Sequence, residues 1–166
     1  MNESHMIQMK SPSLESPQLL LAKNLFISEQ YQRASYILRN QVSIQVSDIS
    51  QSELFIWGYS SYLSGEKSSA QTKFEKSKTS STNPNLEEIL SKYEEIENGD
   101  IILDPFNSWL YATCLLTQTP CFSLPSPHSS HPIIHKALSL LIDGCLSQFP
   151  IFWSAWEGLS TLLTEF

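Results

Sequence analysis

Apolar residues along this chain recur at helical rather than strand spacing. In "SPQLLLAKNLFIS", Leu19, Leu20, Ala22, Leu25, Phe26 and Ile27 form a broad stripe with the period of an amphipathic helix. Ser16 stands where an N-cap belongs, and Pro17 takes the first helical position, where its missing N–H costs nothing. After a break at "SEQ", the stretch "YQRASYILRN" turns Tyr31, Ala34, Ile37 and Leu38 inward. So short a turn makes the two helices antiparallel neighbours. "ELFIWGYSSYLSG" reads as a further helix stopping at Gly65. "NLEEILSKYEEIENGD" is amphipathic through Leu86, Ile89, Leu90 and Tyr93, and "FNSWLYATCLLT" follows Pro105. "HPIIHKALSLLIDGCLSQF" starts after Pro132 with Ile133, Ile134, Ala137, Leu138, Leu141 and Leu146 on its apolar face, and a Trp-bearing helix comes last. Only "VSIQV" at 42–46 alternates, and it reads as a connector. Residues 1–15 are polar and patternless, a flexible lead into a domain over 16–166. Two stretches interrupt that domain: Ser/Lys/Glu-rich 66–100 and 117–132, which carries four prolines. The fold class is all-α.

Within the helices a repeat is present. The tetratricopeptide pattern W-x2-L-G-x2-Y … A-x3-F … P recurs with a period of about 34 residues. Trp156, Leu159, Ser160 and Leu163 fit its first four slots, with Pro150 six residues ahead of Trp156. Leu21, Ala22 and Leu25 fit the L, G and Y slots, and Ala34 and Leu38 the A-x3-F. Two further first helices centre on Tyr59, Ser60 and Leu63 and on Tyr111, Ala112 and Leu115. The small-residue slots at 22, 60, 112 and 160 are 38, 52 and 48 residues apart, and the two long intervals hold the two interruptions. For the second helix of the second repeat, Ala70 and Phe74 compete with the 86–98 segment. The pattern predicts a helical-hairpin array of about three repeats plus the first helix of a fourth, with the chain stopping inside that repeat.

Three segments, "WGYSSYLSGEK" (57–67), "DPFNSWLYATCLL" (104–116) and "FPIFWSAWEGL" (149–159), resemble the N-terminal part of subunit eight of the anaphase-promoting complex, over most of 16–166. The resemblance implies a non-catalytic scaffold of a ubiquitin ligase that controls mitotic exit. Its repeats wind into a superhelix, and the N-terminal ones form a homodimer; the other subunits of the complex are further partners. The coactivator-binding grooves of that family lie in later repeats and are not transferred.

The position three residues before the small slot tends, in such repeats, to look into the concave groove. Here it holds Leu19, Trp57 and Trp109, with Phe26 and Leu116 seven residues beyond Leu19 and Trp109. These residues and Lys23 are the candidate partner-binding stripe, since buried Trp and Tyr anchors dominate interface energy. The competing reading packs the same side chains inside one chain. A carboxylate-clamp adaptor for peptides is the second functional class, but it needs concave Lys, Arg and Asn, and only Lys23 qualifies.

Charge and chemistry remove other classes. Ten Lys and Arg against 17 Asp and Glu give a net charge of −7, the wrong sign for binding phosphates of nucleic acid. No apolar run reaches the ~20 residues that a bilayer requires, and "MNESHMIQMK" does not resemble a signal peptide. A soluble protein of nucleus and cytoplasm is expected, with no membrane partner and no small-molecule substrate. Cys114, Cys121 and Cys145 form no C-x-x-C and read as reduced thiols. His128, His131 and His135 lack supporting ligands, and Pro132 breaks the helix that would align the last two, so neither metal nor cofactor is expected. The Glu87–Glu88 and Glu94–Glu95 pairs are neighbours in sequence and do not face each other on a helix. No catalytic motif is present, and no enzyme is expected. Ser11-Pro12, Ser16-Pro17 and Ser126-Pro127 are minimal proline-directed kinase sites without a following basic residue.

Overall fold

Helix starts follow the capping residues. A computed structural model describes residues 15–44, 49–75, 83–118 and 132–165. Helix α1 (Pro17–Ile27) begins as expected, with Ser16 Oγ accepting from the Leu19 N–H at 3.1 Å. The same hydroxyl donates to Glu53 at 2.7 Å, which fixes α1 against α3. Helices α2 (Tyr31–Ile44), α3 (Gln51–Glu75), α4 (Leu86–Asn98), α5 (Pro105–Gln118), α6 (Pro132–Ser139) and α7 (Trp153–Glu165) follow. No strand occurs among the described residues. Asp104 caps α5, its carboxylate accepting from the Asn107 N–H at 2.8 Å, with Pro105 at the first position.

Packing follows chain order. α2 lies against α1 and α3, α4 against α3 and α5, α6 against α5, and the stretch Leu140–Leu146 that follows it against both α5 and α7. α1, α3, α5 and α7 also touch in sequence, forming one layer of first helices backed by a layer of second helices. The small-slot residues Ala22, Ser60 and Ala112 are fully buried, so these are the close-approach points that the repeat pattern requires. Ser160, the fourth, is exposed.

Several local expectations are corrected. α3 does not stop at Gly65 but continues for another ten residues, to Glu75. Gly65 is there to admit Asn83, whose side chain lies across the helix: a Cβ at 65 would come within 2.5 Å of Asn83 Cγ. Ala70 and Phe74 therefore sit inside α3, and α4 is the helix that returns along it, burying Leu86, Ile89, Leu90 and Tyr93. Val42–Ile44 of the supposed connector belong to α2; Gln45 and Val46 lie outside the described residues. Leu20, Leu21 and Ile27 of the α1 stripe are at least half exposed, so the L slot at Leu21 is not a core position. The Pro-rich stretch falls almost wholly on 119–131, outside the described residues, as do Ser11, Pro12, Cys121, Ser126, Pro127, His128 and His131. Beyond Ser139 the chain widens into a π-helical segment, Leu140–Leu146. There Gly144 meets α5 so closely that a Cβ would lie 2.7 Å from Ser108 Oγ.

Candidate functional site

The layer of first helices carries a continuous run of aromatic rings. Phe26 of α1 meets Tyr59 of α3 at 5.7 Å between centroids; Tyr59 meets Trp109 of α5 edge-on at 5.5 Å; Trp109 meets Phe152, just before α7, at 5.8 Å. A parallel row runs from Phe55 to Phe106 at 5.8 Å and on to Phe152 and Phe149 at 5.1 and 6.1 Å. These separations fall in the range where rings attract each other by about 0.5–1.5 kcal/mol beyond area burial. None of the rings is fully buried; Phe106 is 43% and Phe149 37% exposed. Between the rows and α1 lies a dimple of about 160 Å³ lined by Lys23, Ser52, Phe55, Ile56, Asp104 and Phe106. Lys23 pairs with Glu15 at its edge.

The six sequence candidates divide. Phe26 and Trp109 lie in the ring run, joined through Tyr59, and Lys23 lines the dimple beside Phe55 and Phe106. Leu116 is half-buried against the core formed by α5, α6 and α7. Leu19 and Trp57, each 3% exposed, are core residues of their own chain. For Trp57 the reason is angular. The α3 ring that reaches both neighbours is Tyr59, two residues on, and two residues of an α-helix turn a side chain through about 200°. Trp57 therefore points away from the ring face. Phe55, Phe106 and Phe152 are not among the sequence candidates, and Tyr59 enters there only as a repeat slot, although the i, i+4 spacing of Phe55 and Tyr59 marks a shared face.

The rest of the chemistry is structural. Tyr93 is fully buried, donates to Asn107 Oδ1 at 2.9 Å and stacks on Tyr111 at 5.1 Å. Lys136 reaches across from α6 to Glu97 at 2.6 Å and sits 4.9 Å above the Tyr111 ring, clamping α4, α5 and α6. Burial pushes the Cys114 and Cys145 thiols from 9.0 up to about 12, and Cys145 donates to the Pro105 carbonyl at 3.1 Å. Neither thiol is a nucleophile at neutral pH. Among the described residues no group of three or more His, Cys, Asp or Glu is placed to hold a metal ion, and no helix is long and apolar enough to cross a membrane.

The raised thiols carry a pH prediction. Their folded pKa lies above the unfolded value, so their contribution to stability is complete below pH 9 and is lost between 9.0 and about 12. Tyr93, held well above 10.0 by burial, adds to the loss in the upper part of that window. Urea midpoints are expected to fall steadily above pH 9. Midpoints unchanged to pH 11 would contradict the burial of these groups.

Hairpins of antiparallel helices, stacked through buried small residues, define a helical repeat array of the tetratricopeptide type. The family model described as Anaphase promoting complex subunit 8 / Cdc23 matches residues 1–166, and the chain belongs to that family. It is 30% identical over 146 residues to a protein of Arabidopsis thaliana named Anaphase-promoting complex subunit 8. That match covers 88% of this chain and 22% of the relative, so the chain spans less than a quarter of its length.

Proposed function

We propose that this chain is a non-catalytic scaffold element of the anaphase-promoting complex, and that it pairs with a second copy through the aromatic face of its first helices. The observation that carries the reading is the half-buried ring run from Phe26 through Tyr59 and Trp109 to Phe152, flanked by the exposed rings of Phe106 and Phe149. A contiguous row of rings left partly open to solvent is a characteristic of interfaces rather than of free surface. Phe26, Tyr59, Trp109, Phe106 and Lys23 make the contacts; Leu116 lies at the margin, and Leu19 and Trp57 hold the helices from behind. A two-fold pair uses this patch twice, so each ring counts on both sides. Full burial of an exposed ring contributes roughly 1.5–3 kcal/mol, and each half-buried ring contributes the part of that still open to solvent. Other subunits of the complex are the remaining partners, in nucleus and cytoplasm; nucleic acid, membrane, cofactor and small-molecule substrate have no part in the reading.

Light scattering on a size-exclusion column tests it. The unaltered chain is expected to elute with the mass of two copies, and Trp109→Glu or Tyr59→Glu with the mass of one. Tyr36→Glu, on exposed α2, leaves the pair intact. A two-copy mass for both ring variants defeats the assignment, and a monomeric unaltered chain that binds acidic C-terminal peptides favours the adaptor reading instead.

A further inference from the structure

A second surface lies on the opposite side of α3 from the ring run. The small side chains Ser61, Ser64, Gly65 and Ser68 fall along one stripe of α3 and leave a cleft of about 640 Å³ between α2 and the start of α4. Its end is closed by an ion pair from Arg39 to Glu88 at 2.9 Å, and its floor by Asn85 Nδ2 donating to the Ser61 carbonyl at 2.8 Å. Among the described residues no Leu, Ile, Val, Met or Phe lines it. Tyr31, Tyr36 and Trp57 are its apolar members, placed among Ser, Gln, Asn, Arg and Lys side chains, which sets it apart from the largely apolar pockets that take amphipathic helices.

Charge is distributed here against the trend of the chain. Among the described residues Arg33, Arg39 and Lys67 line the cleft, with Glu29 and Glu88 as its acidic members. Glu88 is taken by Arg39; among the described residues Arg33 and Lys67 are in no ion pair. Around these cations stand the side-chain amides of Gln32 and Gln71, groups suited to the peptide links of a chain without secondary structure.

We infer that the cleft between α2 and α4 is a docking site for an extended, Asp/Glu-bearing segment of a partner protein. Its carboxylates sit between Arg33 and Lys67, and its backbone is held by the surrounding amides. This surface is separate from the ring face, so a pair of copies joined at the rings leaves it open.

The probe is a short fluorescein-labelled peptide alternating Glu and Ser, compared with its Gln–Ser counterpart by fluorescence anisotropy. The Glu–Ser peptide is expected to bind saturably and to weaken with added salt, as screening of exposed charges requires. Arg33→Glu combined with Lys67→Glu weakens it about tenfold or more, equivalent to 1.4 kcal/mol. Ser64→Trp, which fills the floor, has the same effect without a change of charge, whereas Trp153→Glu, exposed on α7 and away from the cleft, has none. Absence of saturable binding, equal affinity for the neutral peptide, or unchanged binding in either cleft variant at full helicity overturns the inference.

Discussion

Asn107→Ala is expected to destabilise the chain by about 3–5 kcal/mol, measured by urea denaturation at a fixed protein concentration. Asn107 is fully buried and uses its whole amide. Its Oδ1 accepts from Tyr93, and its Nδ2 donates to the Gln51 carbonyl at 2.9 Å, to Gln51 Oε1 at 3.0 Å and to Asp104 at 2.9 Å. Gln51 in turn accepts from the Asp104 N–H at 3.1 Å and donates to the Ile102 carbonyl at 3.1 Å. One side chain thus joins the start of α3, the middle of α4 and the cap of α5. Truncation strands the fully buried Tyr93 hydroxyl and removes a donor from three oxygens. The cost of an unsatisfied buried group, about 1–3 kcal/mol each, outweighs the alanine helix preference of less than 1 kcal/mol. A loss below about 1 kcal/mol would mean that the network is not a stabilising unit.

Gly65→Ala separates two effects of opposite sign. Glycine inside a helix costs about 1 kcal/mol relative to alanine, so helix propensity alone predicts a gain. Asn83, however, occupies the space of the missing Cβ, and it is pinned. It donates to the Tyr62 carbonyl at 2.9 Å and to Glu66 at 3.0 Å, and accepts from the Asn85 N–H at 3.0 Å. It is also 95% buried, so it has nowhere to retreat. The expected net effect is a loss of about 2–4 kcal/mol from steric clash and the broken bonds. Combining Gly65→Ala with Asn83→Ala removes the obstacle, and in that background the alanine at 65 is expected to be neutral or stabilising. Additive losses in the double variant would mean that the clash is not the cause.

Helices were legible where the apolar period was regular and the caps were standard: Ser16-Pro17 starts α1, Asp104-Pro105 starts α5, and α4 buries the four residues its pattern marks. Gly65 misled because glycine signals both a helix stop and a close approach, and only the distant Asn83 tells which applies. The π-helical turn at Leu140–Leu146 leaves no trace in a 3.6-residue period, since Leu141, Cys145 and Leu146 are all still buried. In the candidate site, the sequence pointed to Phe26 and Trp109, which lie in the ring run, but on α3 to Trp57, a core residue two positions before the Tyr59 that joins them. Aromatic residues at 55, 57, 59 and 62 surround that helix, so composition alone does not choose which ring joins the run. The choice was made by packing: Trp57 fills the core beneath α2, and Tyr59 is left to bridge Phe26 and Trp109.

Hydroxyl-radical footprinting of concentrated and dilute samples tests the ring face most directly, because it reads side-chain accessibility residue by residue. Oxidation of Phe26, Tyr59, Phe106 and Trp109 is expected to rise together on dilution as copies separate, while exposed Tyr36 and Trp153 label equally at both concentrations. Rings on the first helices that label identically at every concentration, or protection confined to Tyr36 and its neighbours, would contradict the account.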